Sequence, residues 1–261
     1  MSEARQTQIL EDFLANGIAT NPSGGSSTEV VNKWGEQFDI DTADAALGQV
    51  IWPVKATDQA YLFIDTPIQL QIVSDDIADD DGGTGANTVK VQYQDSDGKA
   101  VIETITMNGT TAVELADTSY GCFRMSVETS GSGNTNAGQI VIEDSSNNIY
   151  ATIEPDEGQT QIAVFRIPSD KNGRIVSHEC SYGRTGGSNE AYMRLRIRKT
   201  DGTIITKWDP IITTVIPKDL KEYTFGGVTV NPGEWVFWEC IDTSANSTPV
   251  RGTFDIELTS V

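Results

Sequence analysis

Residues 88–107 read TVKVQYQDSDGKAVIETITM. Val89, Val91 and Tyr93 alternate with Lys90, Gln92 and Gln94. A Ser-Asp-Gly turn at Ser96 to Gly98 follows, and Ile105 and Met107 then alternate with Thr104 and Thr106. A period of two places successive side chains on opposite faces of an extended chain. Two such runs joined across an Asp-Gly pair form an antiparallel hairpin with one apolar and one polar face. The surrounding sequence repeats the pattern. QAYLFID, IQLQIVS, CFRMSVE, GQIVIED and IYATIEP bring the candidate strands of residues 59–156 to seven. TQIAVFRIP, RIVSHECSYG, AYMRLRIRK, TIITKW, IITTVIP, KEYTFGG, EWVFWECID and TFDIELTSV form a second set over 157–261. The expected class is all-β, with two antiparallel β-sandwich domains of jelly-roll type.

Ahead of both sets, residues 1–58 read differently. Ile9, Leu10, Phe13 and Leu14 share one face of a short helix that Gly17 stops, and NPSGGSST from Asn21 is a linker. Trp34, Phe38 and Trp52 lie in a stretch with little periodicity, read as an extended attachment arm. A helix this short is marginal alone, so its apolar face is expected to dock on the β body or on a neighbouring subunit.

The 261 residues carry 18 Lys and Arg against 38 Asp and Glu, a formal charge of −20. A chain so acidic lacks the basic stripe that displaces counterions from a nucleic-acid backbone, so no nucleic-acid partner is expected. No long apolar run and no signal-peptide pattern appears, so no membrane association is expected and synthesis is assigned to the cytosol. Cys122, Cys180 and Cys240 are spaced too widely for a metal knuckle and read as small buried apolar residues.

SDDIADDDGG, from Ser74, gathers Asp75, Asp76, Asp79, Asp80 and Asp81 before the hairpin. The spacing is not that of an EF-hand, and no helices flank it. An irregular loop site for Ca²⁺ is the metal alternative to a hydrated loop. His178 and Cys180 are too far apart along a strand for a nucleophile pair. The Gly-rich stretches at 129–138 and 181–190 lack the lysine and helix of a phosphate loop. Arg194, Arg196 and Arg198 fall on one strand face and form a candidate ion-pairing surface toward an acidic neighbour, with pairing inside the chain as the alternative. Tyr93, Tyr120, Tyr182, Tyr192 and Trp208 are candidates for a glycan platform.

Several segments together resemble virion structural proteins of tailed bacteriophages, the marine and freshwater podovirus-like ones in particular. They are NKWGEQFDIDT with IWP, LQIVSDDIADDDGGTGANTVKVQYQDSDG, ETITMNGTTAV, GNTNAGQIVI, IYATIEPDEGQTQIAVFRIPSDKNGRI and the closing FDIELTSV. The resemblance implies a non-enzymatic virion component with no catalytic residues and no cofactor. Its expected role is a capsid decoration or cement protein, made in the host cytoplasm. It would bind the major capsid protein or other virion proteins as a homo-oligomer, a trimer above all. Two other readings stand beside it: a tail or head-fibre component that binds a host surface glycan, and a secreted carbohydrate-active enzyme, which needs a carboxylate pair across a cleft.

Overall fold

A computed structural model describes residues 18–20, 28–182, 190–208, 211–213 and 219–261. The expected helix face of Ile9, Leu10, Phe13 and Leu14 lies outside these residues. The first half of the chain holds β1 (Ile18–Thr20), β2 (Glu29–Ile40), α1 (Thr42–Leu47), β3 (Gln49–Val50), β4 (Gln71–Ser74), β5 (Ala86–Asp95), β6 (Ala100–Thr106), β7 (Val113–Glu114), β8 (Ser119–Ser130), β9 (Ile140–Glu143) and β10 (Ile149–Ile153). The second holds β11 (Val164–Arg166), β12 (Lys171–Tyr182), β13 (Glu190–Arg198), β14 (Ile204–Trp208), β15 (Ile211–Thr213), β16 (Asp219–Val230), β17 (Trp235–Thr243) and β18 (Thr248–Ser260).

These strands form four antiparallel sheets, so the chain is an all-β protein. Their orders are β1-β2-β18-β12-β16, β10-β9-β4-β7, β11-β17-β13-β14, and β6-β5-β8, with β15 added on β13 and β3 on β17. The hairpin at 88–107 forms as its alternation requires: Lys90 pairs with Thr104 and Tyr93 with Val101. Its turn is closed by the Asp95 carboxylate, which accepts the amides of Asp97 and Lys99 at 3.0 and 2.9 Å.

Buried apolar side chains separate into two clusters. One draws on the 64–153 region, with Val89, Val91, Met125, Ile142 and Ile153 among its members, from the β6-β5-β8 and β10-β9-β4-β7 sheets. The other draws on the remaining two sheets and on Phe123 of β8, gathering residues of 162–258 together with Val31, Ile40, Ala45, Val50, Ile51, Trp52 and Tyr61.

Residues 29–52, which fall within the expected attachment arm, are built into the body. β2 lies between β1 and β18, pairing with β18 from Glu29–Leu258 to Ile40–Thr248, and Trp52 is fully buried. The second cluster thus crosses the expected boundary near residue 58. The cause is an inverted strand. Val31, Lys33, Gly35 and Gln37 face inward, while Trp34 and Glu36 are half-buried and Phe38 is exposed, so hydrophobic alternation gives no strand signal there. Gly35 is required at its place, because a Cβ would collide with the backbone of Ile51, Ile162 and Ala163.

QAYLFID (59–65) is the reverse case, alternating in letters yet outside every strand. It runs between the two clusters: Tyr61 and Phe63 pack on one, Ile64 belongs to the other. Phe63 meets Trp235 and Phe237 at ring-centroid distances of 5.3 and 5.0 Å. Its side chains act as plugs, with no neighbouring strand to pair.

Candidate functional site: a basic cleft between the two cores

The acidic stretch resolves into a pinned turn. Asp79 is fully buried, and its carboxylate accepts four donors: the amides of Ala86 (2.7 Å), Ala137 (2.8 Å) and Gly138 (2.9 Å) and the Ser74 hydroxyl (2.6 Å). Asp75 accepts the Gln139 amide at 2.7 Å, Asp76 the Ala78 amide at 2.8 Å, and Asp80 the Asp81 amide at 2.9 Å. The carboxylates of Asp75, Asp76, Asp79 and Asp80 thus each accept a backbone amide. Among the described residues no three Asp, Glu, His or Cys side chains converge as a cation would require. Within the stretch Asp75, Asp76, Asp79, Asp80 and Asp81 read as an irregular Ca²⁺ site, the Asp79 carboxylate ties the acidic loop to the Gly-rich loop at 130–138. Two amides of that second loop, those of Ala137 and Gly138, are taken up in this contact, and those of Gly131 and Gly133 bond to the carbonyls of Gly85 and Thr84.

The arginine face of β13 is engaged within the chain. Arg198 makes a two-pronged pair with Asp65 at 2.5 and 2.8 Å, and Arg196 contacts Glu239 at 3.0 Å. Burial raises the Glu239 carboxyl above its usual range, against the pull of Arg196 and Arg194. Among the described side chains the aromatic candidates do not assemble; that of Tyr182 lies outside them, and Tyr192 is half-buried on β13. Tyr93 is buried, Arg166 lies 3.9 Å over the Tyr120 ring, and Trp208 packs inward against His178 and Trp238. All three cysteines are buried free thiols, and burial raises the pKa of each, to about 12 for Cys122 and Cys240. None is poised as a thiolate nucleophile.

A site that no local motif announces lies where the two cores meet. β2, β5, β6, β8, β11 and β18, with the segment before β12, enclose a cleft of about 430 Å³. Apolar walls come from Val31, Val101, Phe123, Phe165 and Leu258; charge comes from Lys33, Lys99, Arg124 and Lys171 against Glu29 and Asp170. Four of 18 basic residues but two of 38 acidic ones line it, which reverses the polarity of the chain.

Lys33 is the most buried of these cations, 7% exposed, and its ammonium donates to the Phe123 carbonyl. Desolvation, and then Arg124 nearby, lower its pKa to about 7, while Cys122 opposes them weakly. Arg124 donates to Gln159 at 3.1 Å, and burial lowers its pKa too. Neither cation makes an ion pair with a carboxylate among the described residues.

The cleft is held open by polar contacts between the two halves. Arg166 and Gln94 bond reciprocally, guanidinium to side-chain oxygen at 2.7 Å and side-chain amide to backbone carbonyl at 2.5 Å. The β5–β6 turn is latched at the rim by Ser169, whose amide reaches the Gly98 carbonyl at 2.8 Å and whose hydroxyl reaches the Asp97 carbonyl at 2.6 Å.

No protein-family model matches this sequence, and no curated protein matches it either. Among solved structures, the chain aligns with a structure of the Gx strain of infectious bursal disease virus. Identity is 9%, covering 96% of this chain and 78% of that one, with a TM-score of 0.25. It aligns also with the VP2 subviral particle of infectious bursal disease virus at 9% identity, covering 100% of this chain and 87% of that one, with a TM-score of 0.15. Likeness at that level fixes neither the fold of this chain nor its role.

Proposed function

We propose that this chain is a non-enzymatic structural component of a tailed-bacteriophage virion, a decoration or cement protein that clamps neighbouring shell subunits. The observation that carries the reading is the inverted β2. A strand in a one-sided sheet ordinarily turns its apolar side chains inward. β2 buries Lys33 and Gln37 and turns Trp34 and Phe38 outward, with Phe38 53% exposed. Aromatic side chains on an outer face are the chemistry of a protein–protein contact. They follow directly on the segment whose Ile9, Leu10, Phe13 and Leu14 form an apolar helical face by sequence. Arg196 and Arg198 already have partners within the chain, which favours β2 over β13 as the docking strand.

In this reading each core with its two sheets is a β-sandwich unit, the partner is the major capsid protein, and the protein is a trimer on the shell. The sequence resemblance to phage virion proteins points the same way. Phe38→Ser combined with Trp34→Ser should keep the melting temperature within a few degrees, because neither ring fills a core, and should abolish co-sedimentation with shells. Attachment that survives both this pair and deletion of residues 1–17 would sink the proposal. Copy number separates the variants of the reading: on the order of hundreds per particle for a shell protein, about six or twelve for a tail component.

A further inference from the structure

We propose that the cleft between the two cores binds a small organic anion with an apolar body, its charged group received by Lys33 and Arg124 and its body lying against Phe123, Phe165, Val31 and Leu258. The inference stands apart from the virion reading and holds for any role of the chain.

The first support is an uncompensated pair of cations. Elsewhere this chain gives several of its partly buried cations a carboxylate: Lys199 has Glu234 at 2.7 Å, Arg196 has Glu239 at 3.0 Å, and Arg198 has Asp65, while buried Arg166 is met by the Gln94 side chain and the Tyr120 ring. Lys33 is more buried than any of these and faces Arg124 across the cleft lining, with a carbonyl as its hydrogen-bond acceptor. Acidic residues outnumber basic ones by 38 to 18, so carboxylates were not scarce. A buried charge without an opposite partner is costly, and a like charge beside it adds to the cost. An anion in the cleft relieves both terms. An ammonium has three donors, so it can hold the Phe123 carbonyl and still meet such a ligand.

The second support is shape. A cleft of about 430 Å³ between two cores, with apolar walls and a few convergent polar groups, has the size and setting of a small-molecule site. Lys33, at 7% exposure, lies too deep for an acidic side chain on a folded partner but within reach of a slender ligand. Val31, Phe165 and Leu258 offer no side-chain hydrogen bonds, so the part of the ligand that lies against them is hydrocarbon or aromatic.

The test uses the full chain, with octanoate, octyl sulfate and 1-octanol as probes below their micellar concentrations, read by titration calorimetry and thermal shift. Either anion should bind with a Kd below about 1 mM, and 1-octanol at least about tenfold more weakly. Octanoate against octyl sulfate tells a carboxylate head from a sulfate head, and preference for either supports the proposal. Lys33→Met and Arg124→Gln should each weaken anion binding about tenfold or more. Arg124 lies nearer the rim, so its variant serves if the Lys33 variant fails to fold. Equal affinity for 1-octanol, no anion binding, or binding unchanged in a folded Arg124→Gln protein would overturn it.

Discussion

The carboxylate of Asp79 and the ammonium of Lys33 are both buried, under opposite terms. Asp79 receives four donors from three points of the chain. Removing it strands three backbone amides in a buried turn, and Asp79→Ala should cost about 3 kcal/mol in urea unfolding. Asp79→Asn should cost less, because one oxygen still accepts two amides. A variant within about 0.5 kcal/mol of wild type would refute the pinning role. Lys33 is buried without such an array of partners. Its folded pKa of about 7 lies below the 10.5 of the exposed side chain. Between those values the unfolded chain binds more protons than the folded one, so this group's contribution to stability rises with pH from about 7 to about 10. Below pH 7 the penalty is fully present, on the order of 4 kcal/mol. Lys33→Met should therefore raise stability at pH 6, and the gain should shrink toward pH 10. The wild-type minus variant difference isolates Lys33 from other titrating groups, and a gain independent of pH would contradict the assignment. No periodicity marks Lys33 as special: the inward position becomes visible only when β18 fixes the face of β2 by pairing Phe254 with Lys33.

At the scale of elements, legibility tracked burial on one face. β5, β6, β8, β13 and β17 were readable because their alternation or aromatic density reports a buried side directly. β2 was not, since its inward face is Val-Lys-Gly-Gln. QAYLFID was misread for the opposite reason, alternating to fill two cores with no strand beside it. Within the acidic loop Asp79 looks like its neighbours in sequence. Its role comes from Ala137 and Gly138, some 58 residues away. The cleft was invisible for the same reason, being assembled from segments spread between residues 29 and 258. β2 offers a sharp test of this account. Gly35 faces the backbone at Ile51, Ile162 and Ala163, and main chain cannot move aside as a side-chain tip can. Gly35→Ala should cost about 2 kcal/mol or more by overpacking, whereas an ordinary strand glycine gains from the same change. A neutral or stabilising effect would mean that β2 does not press on that segment.

For the molecule as a whole, the two cores differ in how they depend on the N-terminal quarter. The 64–153 cluster contains nothing from before Ile64. The other cluster needs Val31, Ile40, Val50, Ile51 and Trp52, and its sheets need β2 beside β18 and β3 beside β17. Each large side chain there contributes about 1.5–3 kcal/mol by burial. Five together amount to about 8–15 kcal/mol, comparable to the 5–15 kcal/mol that stabilises an ordinary domain, before any ladder hydrogen bond is counted. A chain beginning at residue 59 should therefore lose the second core and keep much of the first. Trp235 and Trp238 are buried in the affected core, so tryptophan emission should shift to the red. Amides of β5 and β8 should remain protected from hydrogen exchange. A chain beginning at residue 18 keeps β2, α1 and β3, and should show neither change. Blue-shifted emission from the residue-59 chain would mean that β2 is an addition to a body already complete. Protection lost together in β5, β8, β13 and β17 would mean that the two cores unfold as one.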